Sequence, residues 1–406
     1  MIAHYCRQAG IAMWNSMITM VGGWLFAQGP ATDPPRLLPG SITRSPNGTV
    51  ATVSSNSPVV PIDRFKDLGS FAPETMQCVA GIRSGADWLG KIHQPNGRVL
   101  PGVNPALAAV GGTDGEAVQA LALWGQCTAA RVLGDATVTA KANQSLLTLL
   151  SGIRPDPADP KRMLPAGTDA DRPIFAAAFV LAVAEIPSID ERTAAVAEHM
   201  AAFLTTQSAL TPRAHALAMR ALSTSQRIKP NDWKATSFLR LMQSAQERCD
   251  AAMNPILAGG LLSVSTDRAQ VFAITDKLLM SQYDRQTVRG GFTWSGAFPV
   301  PGDREPTSDQ AIVAMGLIQA TKLAQQAGDP QRYARYRQAL LSSLMFVRGL
   351  QATPESAAHF ESGFRTRSVV GGVRASVMDG TLRADSTALA ITTFSQYVES
   401  GLEGRE

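Results

Sequence analysis

The chain has 406 residues, 45% of them apolar and 17% charged, which is an ordinary globular balance with ample material for a buried core. Its formal net charge of +4 is spread out, with no Lys/Arg run of five or more, so no nucleic-acid partner is expected. Four cysteines with no Cys-x-x-Cys pair and no Cys/His cluster at metal-ligand spacing argue against a structural zinc, and no metal or cofactor is expected.

In chain order, residues 1–29 read as an export signal. His4 and Arg7 make a weakly basic start, and residues 11–26 are mostly apolar, with Asn15 and Ser16 among the exceptions, and shorter than the ~20 residues a bilayer span needs. The mature protein is then secreted or periplasmic; left uncleaved, the same segment would be a membrane anchor, the chain's sole expected membrane contact. Residues 30–64 are dense in Pro, Ser, Thr, Gly and Asn and predict a disordered linker. The folded domain spans 65–399, followed by a tail, 400–406. Once the signal is removed, Cys78, Cys127 and Cys249 remain, enough for one bridge at most, and Cys127 falls in an apolar helical stretch.

Helices dominate the folded part. Residues 331–350 predict an amphipathic helix, with Tyr333, Tyr336, Leu340, Leu344 and Val347 on one side and Arg332, Arg335, Arg337 and Gln338 on the other. Residues 117–130 and 311–323 are apolar or small nearly all round, the pattern of a helix buried on every face. Two such populations are what a double ring of helices requires. Short extended pieces are expected only near residues 97–103, 290–294 and 371–373.

Five small-residue helices begin straight after polar, turn-forming runs: at Thr113-Asp114-Gly115-Glu116, Asp169-Ala170-Asp171-Arg172-Pro173, Leu210-Thr211-Pro212-Arg213, Thr307-Ser308-Asp309-Gln310 and Arg383-Ala384-Asp385. Four of the five starts carry an acid. Such recurrence predicts a helical-repeat architecture. Three loops share a second pattern, in which an apolar helix ends near Gln and a glycine turn follows. They are Trp88-Leu89…Gln94…Gly97, then Gln282…Gly290-Gly291…Trp294, then Gln351…Gly371-Gly372.

On these residues the domain resembles the terpenoid cyclase and protein prenyltransferase α/α-toroid superfamily, whose repeats run aromatic–aliphatic–spacer–Gln–spacer–Gly–x–Trp. The resemblance covers roughly residues 75–398 and implies an all-α α/α toroid with a central cavity. It departs from the superfamily where chemistry is concerned. The chain has no Asp-x-Asp-Asp run for substrate protonation, no Asp/Cys/His zinc set around Cys249 or Cys127, and few aromatic residues to line a carbocation cavity. The first functional expectation is therefore a cyclase-like protein without cyclase activity that binds a small-molecule, glycan or protein ligand at an acidic barrel mouth. The alternative is a glycan-active (α/α)6-type hydrolase, lyase or epimerase that uses paired carboxylates.

In a toroid the inner-helix starts converge on one mouth. Asp114, Asp309 and Asp385 are then the catalytic candidates, with Glu116, Asp171, Trp294, Arg374, Asp379 and Arg383 as ligand-binding candidates. Residues 370–385 are the segment most expected to be functional, because two glycines permit close approach and both charge signs meet there. The same acids also read as helix caps. Thr113…Glu116 and Thr307…Gln310 fit the capping box, and Asp171 before Pro173 is a favourable helix start. His93 is expected near the mouth and His215 in the core or at a helix start.

Overall fold

The computed structural model describes residues 72–157, 159–284, 287–289, 292–302, 304–360 and 369–402. The expected signal, the linker, residues 65–71, Gly290, Gly291 and most of the tail lie outside these. No described helix is long and apolar enough to cross a membrane.

Twelve helices of ten residues or more stand among the described residues. The first six are α1 (Pro73–Lys91), α2 (Glu116–Leu133), α3 (Ala136–Gly152), α4 (Arg172–Ala184), α5 (Glu191–Thr205) and α6 (Pro212–Ile228). They continue as α7 (Asp232–Ala251), α8 (Pro255–Val264), α9 (Arg268–Leu279), α10 (Gln310–Gln326), α11 (Pro330–Gly349) and α12 (Ala384–Glu399). The even-numbered helices form a closed inner ring, each packing on the next, with α12 returning to α2. The odd-numbered helices form the outer layer: α3, α5, α7, α9 and α11 back the inner helix just before them, and α1 backs α12. This is the expected α/α toroid.

Residue type decides the layer. Residues 173 and 175–183 of α4, Pro, Phe, Ala, Val and Leu, are all buried, as a helix surrounded by neighbours requires. Small residues let the inner helices touch backbone to backbone. A Cβ at Gly316 of α10 would sit 2.5 Å from the Gly259 carbonyl of α8, and one at Gly125 of α2 would sit 2.6 Å from Ala388 Cα of α12. The outer helices bury one side only, as α7 shows with Leu241, Ala245 and Cys249.

Capping differs between the layers without dividing cleanly, since Thr211 and Asn254 cap inner helices α6 and α8 and outer helix α1 has no side-chain cap bond. Asp135, Asp190, Asn231, Asp267 and Asp329 cap α3, α5, α7, α9 and α11, each side chain accepting hydrogen bonds from first-turn amides. Inner helices α2, α4, α10 and α12 have no side-chain cap bond at all. The capping-box expectation is thus corrected. Gly115 and Asp309 hold the N-cap positions of α2 and α10 without capping, and Glu116 and Gln310, expected to complete such boxes, reach Arg98 and Phe298 instead.

Gln310 and Gln119 tie loops to helices. Gln310 accepts from Phe298 N at 3.1 Å and donates to Phe298 O at 3.0 Å. Gln119 grips Val99 in the same way, at 2.9 and 2.8 Å. Thr387 Oγ1 accepts from Val373 N at 2.9 Å at the equivalent place in the last repeat. Each gripped residue lies two positions after a left-handed glycine: Gly97, Gly296 or Gly371. Gln282 and Gln351 complete the unit. Gln282 donates to Gly296 O (2.9 Å) and Ala339 O (3.0 Å), and Gln351 to Gly371 O (2.9 Å) and Gly81 O (3.0 Å). Replacing Gln310 by Leu would orphan a buried N–H and a buried C=O together. We expect Gln310→Leu to cost about 3 kcal/mol in urea unfolding; a loss below ~1 kcal/mol would remove the glutamine grip as a structural element.

The strands are short. β1 (Gly102–Asn104), β2 (Ala109–Val110), β7 (Val373–Arg374) and β8 (Leu382–Arg383) make one antiparallel sheet in the order β2-β1-β8-β7, where Gly102 pairs with Arg383. The other two pairs are hairpins: β3 (Arg154–Asp156) with β4 (Asp159–Leu164), and β5 (Val288–Arg289) with β6 (Phe292–Thr293). The β3–β4 hairpin falls outside the three expected extended stretches, and its Pro-rich, charged sequence gives no alternation to find.

Candidate functional site

The inner-helix starts meet at one end of the ring. A Cβ on Gly115, at the start of α2, would lie 3.4 Å from the Asp171 carboxylate that precedes α4, and one on Gly112 would lie 3.8 Å from Arg383 Nη1, just before α12. Arg213, in the first turn of α6, reaches across to helices that are not its neighbours in the ring. Its Nη2 donates to Asp385 Oδ2 of α12 at 3.0 Å, and its Nη1 lies 3.3 Å from Asp309 Oδ1 at the start of α10. Arg383 closes the cluster by donating from Nε (2.9 Å) and Nη2 (3.3 Å) to the two oxygens of Asp385. Beneath it, Ser308 and Ser386 share a buried hydrogen bond of 2.8 Å between their hydroxyls.

The two carboxylates sit in unlike surroundings. Asp385 is 4% exposed at its side chain and Asp309 22%, so Asp309 is the one that solvent or a ligand can reach. Burial pushes the Asp309 carboxyl up from its ordinary value; Arg213 pulls it back, Asp385 pushes it further, and the net direction is up. Burial would raise Asp385 too, but Arg213 and Arg383, by charge and by hydrogen bond, more than offset it and hold that group below the usual carboxylate range. Asp309 Oδ1 is buried and accepts no hydrogen bond, and Arg213 Nε likewise has no partner. One carboxyl biased toward its acid form beside one held ionised is the arrangement of a general acid and its counter-charge.

The other candidates fall as follows. Asp114 and Glu116 both pair with Arg98, at 3.3 and 2.8 Å, and Asp114 also accepts from Gln119 at 2.9 Å. Asp171 accepts from the Thr168 hydroxyl at 2.8 Å. These three belong to the mouth but to its α2–α4 side, and none has a described contact with Asp309. Trp294 is buried with its ring edge-on to Tyr283 at 5.5 Å, so it packs in the core and presents no face to the mouth. Arg374 donates to Gly349 O at 2.9 Å, and Asp379 is an exposed turn residue that accepts from Thr381 N at 2.9 Å. Only Arg383 and Asp385 of the 370–385 segment join the cluster. His93 is bonded to Ser145 Oγ at 3.1 Å, His215 is buried against Leu241 O at 2.9 Å, and Cys78, Cys127 and Cys249 are buried free thiols. A hollow of about 1000 Å3 along the outer face of α11, lined by Tyr333, Arg337, Leu341, Met345 and Arg374 among others, shares no residue with the Arg213 cluster. That hollow holds no paired carboxylates, whereas the Arg213 cluster does.

Sequence reasoning passed over Arg213. The signal was there: of the five polar helix starts, Leu210-Thr211-Pro212-Arg213 alone has a base and no acid. A mouth ringed by carboxylates needs a counter-charge, and this is where it stands.

No family model matches the chain, and no curated protein matches it in sequence. In fold it is similar to cellobiose 2-epimerase from Bacillus thermoamylovorans, with a TM-score of 0.56 and 11% identity over 79% of this chain and 98% of that one. It is similar also to D-mannose isomerase (TM-score 0.55, 10% identity, 81% of this chain and 99% of that one). A third is an unsaturated glucuronyl hydrolase from Streptococcus agalactiae (TM-score 0.53, 12% identity, 80% and 90%). None of these three is a terpenoid cyclase or a prenyltransferase, and all are named for enzymes acting on sugars. They correct the expectation of a cyclase-like, non-catalytic ligand binder. The architecture this chain shares with them is the (α/α)6 toroid.

Proposed function

We propose that this chain is a glycan-active (α/α)6 enzyme that cleaves a glycosidic bond by acid–base catalysis at the barrel mouth, with Asp309 as proton donor. The observation that carries this reading is the shared arginine. Arg213 holds both Asp309 and Asp385, yet burial and charge bias the two carboxyls in opposite directions. A glycosidic oxygen is a poor leaving group until protonated, and a partly exposed carboxyl biased toward its acid form supplies that proton. Asp385, buried under two guanidinium groups, is a positioning residue. The second carboxylate comes from the α2–α4 side of the mouth, where Asp114, Glu116 and Asp171 stand.

The fold supports the same reading, since the neighbours named above are epimerase, isomerase and hydrolase toroids. The test is incubation of the purified protein with a panel of neutral and acidic oligosaccharides, following new reducing ends and, by NMR, sugar configuration. New reducing ends from at least one glycan are expected. A panel left wholly intact sinks the proposal, and an epimerised sugar without chain cleavage sinks the hydrolytic part of it.

A further inference from the structure

We infer that the sugar recognised at this mouth carries a carboxylate, a uronic acid residue, which docks on Arg383, beside Arg213. The inference deepens the glycan reading and rests on it. Arg383 uses Nε and Nη2 on Asp385, while its Nη1 has no partner among the described residues. Arg213 uses Nη1 and Nη2 on the two aspartates and leaves Nε without a hydrogen bond. The Arg383 side chain is 27% exposed, so its unpaired Nη1 edge is an open position for a planar oxyanion.

Space exists beside them. Gly112 has no side chain to fill the volume next to Arg383 Nη1, which would be 3.8 Å from a Cβ built there and is that atom's closest neighbour together with Pro101 O. The β1–β8 pairing fixes Arg383 opposite Gly102, so the guanidinium is anchored from its backbone as well as by Asp385. The local charge points the same way. Two guanidinium groups, Arg213 and Arg383, stand at the α6–α12 side with two carboxyl groups, Asp385 and Asp309. Across the mouth the acids outnumber the bases, because Arg98 alone faces Asp114 and Glu116 with Asp171 nearby. That polarity orients the sugar, with its carboxylate toward Arg383 and its hydroxyls toward the acids.

Calorimetric titration of the full chain with oligomers of galacturonic, glucuronic and mannuronic acid, and with the same oligomers after reduction of their carboxyl groups, reads the inference directly. At least one acidic oligomer is expected to bind, and its reduced form to bind about 30-fold more weakly, the equivalent of losing a charged hydrogen-bonded contact. Arg383→Gln should erase that difference and Arg383→Lys restore part of it, with circular dichroism confirming the fold of each. Equal binding of acidic and reduced oligomers by the wild-type chain, or no binding of any acidic oligomer, overturns the inference, and neither outcome requires a variant to fold. Binding without turnover would uphold the carboxylate site while overturning the hydrolytic reading. Cleavage of neutral glycans alone would do the reverse.

Discussion

Asp309→Asn is expected to lower kcat on a cleaved glycan by about 10³-fold and to change KM by less than ~3-fold. The amide keeps the shape of the carboxyl group and its place beside Arg213, so binding geometry survives; what is lost is the transferable proton. The pH profile supplies an independent readout. Asp309 works in its acid form, and burial raises its pKa above the ordinary carboxylate value. Wild-type activity should therefore be present at low pH and fall as pH rises through that raised pKa, a limb the variant lacks. Stability follows the same sign. The native state holds this proton more tightly than the unfolded chain does, so the contribution is complete below the unfolded pKa of about 4 and is lost as pH rises through the native one. Asp385 runs the other way, its contribution present above the unfolded carboxylate value and lost as pH falls through its depressed native pKa. Asp385→Asn should therefore appear first as a stability defect. If Asp309→Asn kept a third or more of wild-type kcat, Asp309 would not be the acid.

The ring of helices was legible because its causes are local. Residues 117–130 and 311–323 are apolar on every side, and each turned out to be an inner helix. Gln282 and Gln351 were visible as markers, and both join a glycine turn to the next outer helix. Their misreading came at the next step. That Gln–Gly outline reports how loops are fastened in a toroid, so it carries no information on substrate, and the likeness to terpenoid cyclases went no further than layout. The capping boxes failed for a related reason. Glu116 and Gln310 stand at the right offset from Thr113 and Thr307, but local spacing cannot show that Arg98 claims Glu116 and that Phe298 occupies Gln310. Asp309 and Asp385 were readable as candidates from their polar helix starts. Their meeting on Arg213 was not, because that contact crosses the ring between α6 and α12, 172 positions apart in sequence.

The repeat unit itself makes the sharpest stability prediction. Gly296→Ala and Gly371→Ala are each expected to cost about 4 kcal/mol, combining left-handed backbone strain with steric overlap. Gly296 has φ +84° and Gly371 φ +101°, conformations that an L side chain rarely adopts. A Cβ on Gly296 would also fall 2.1 Å from Ser342 O, and one on Gly371 would fall 2.0 Å from Ser84 O. Both obstacles are backbone carbonyls on outer helices, α11 and α1, so no rotamer change relieves them. Gly328 supplies the control within the same chain. Its φ is +66° but nothing lies within 4 Å of its would-be Cβ, so Gly328→Ala should cost only the backbone strain, about 1 kcal/mol. Urea midpoints for the three variants separate the two terms. Because Gln282 and Gln351 donate to the carbonyls of Gly296 and Gly371, a displaced turn also unseats the glutamine and loosens the loop that leads to α10 or α12. If all three variants lost the same ~1 kcal/mol, the turns would be yielding freely against the outer helices. The loop grip could not then be what holds Asp309 and Arg383 at their places in the mouth.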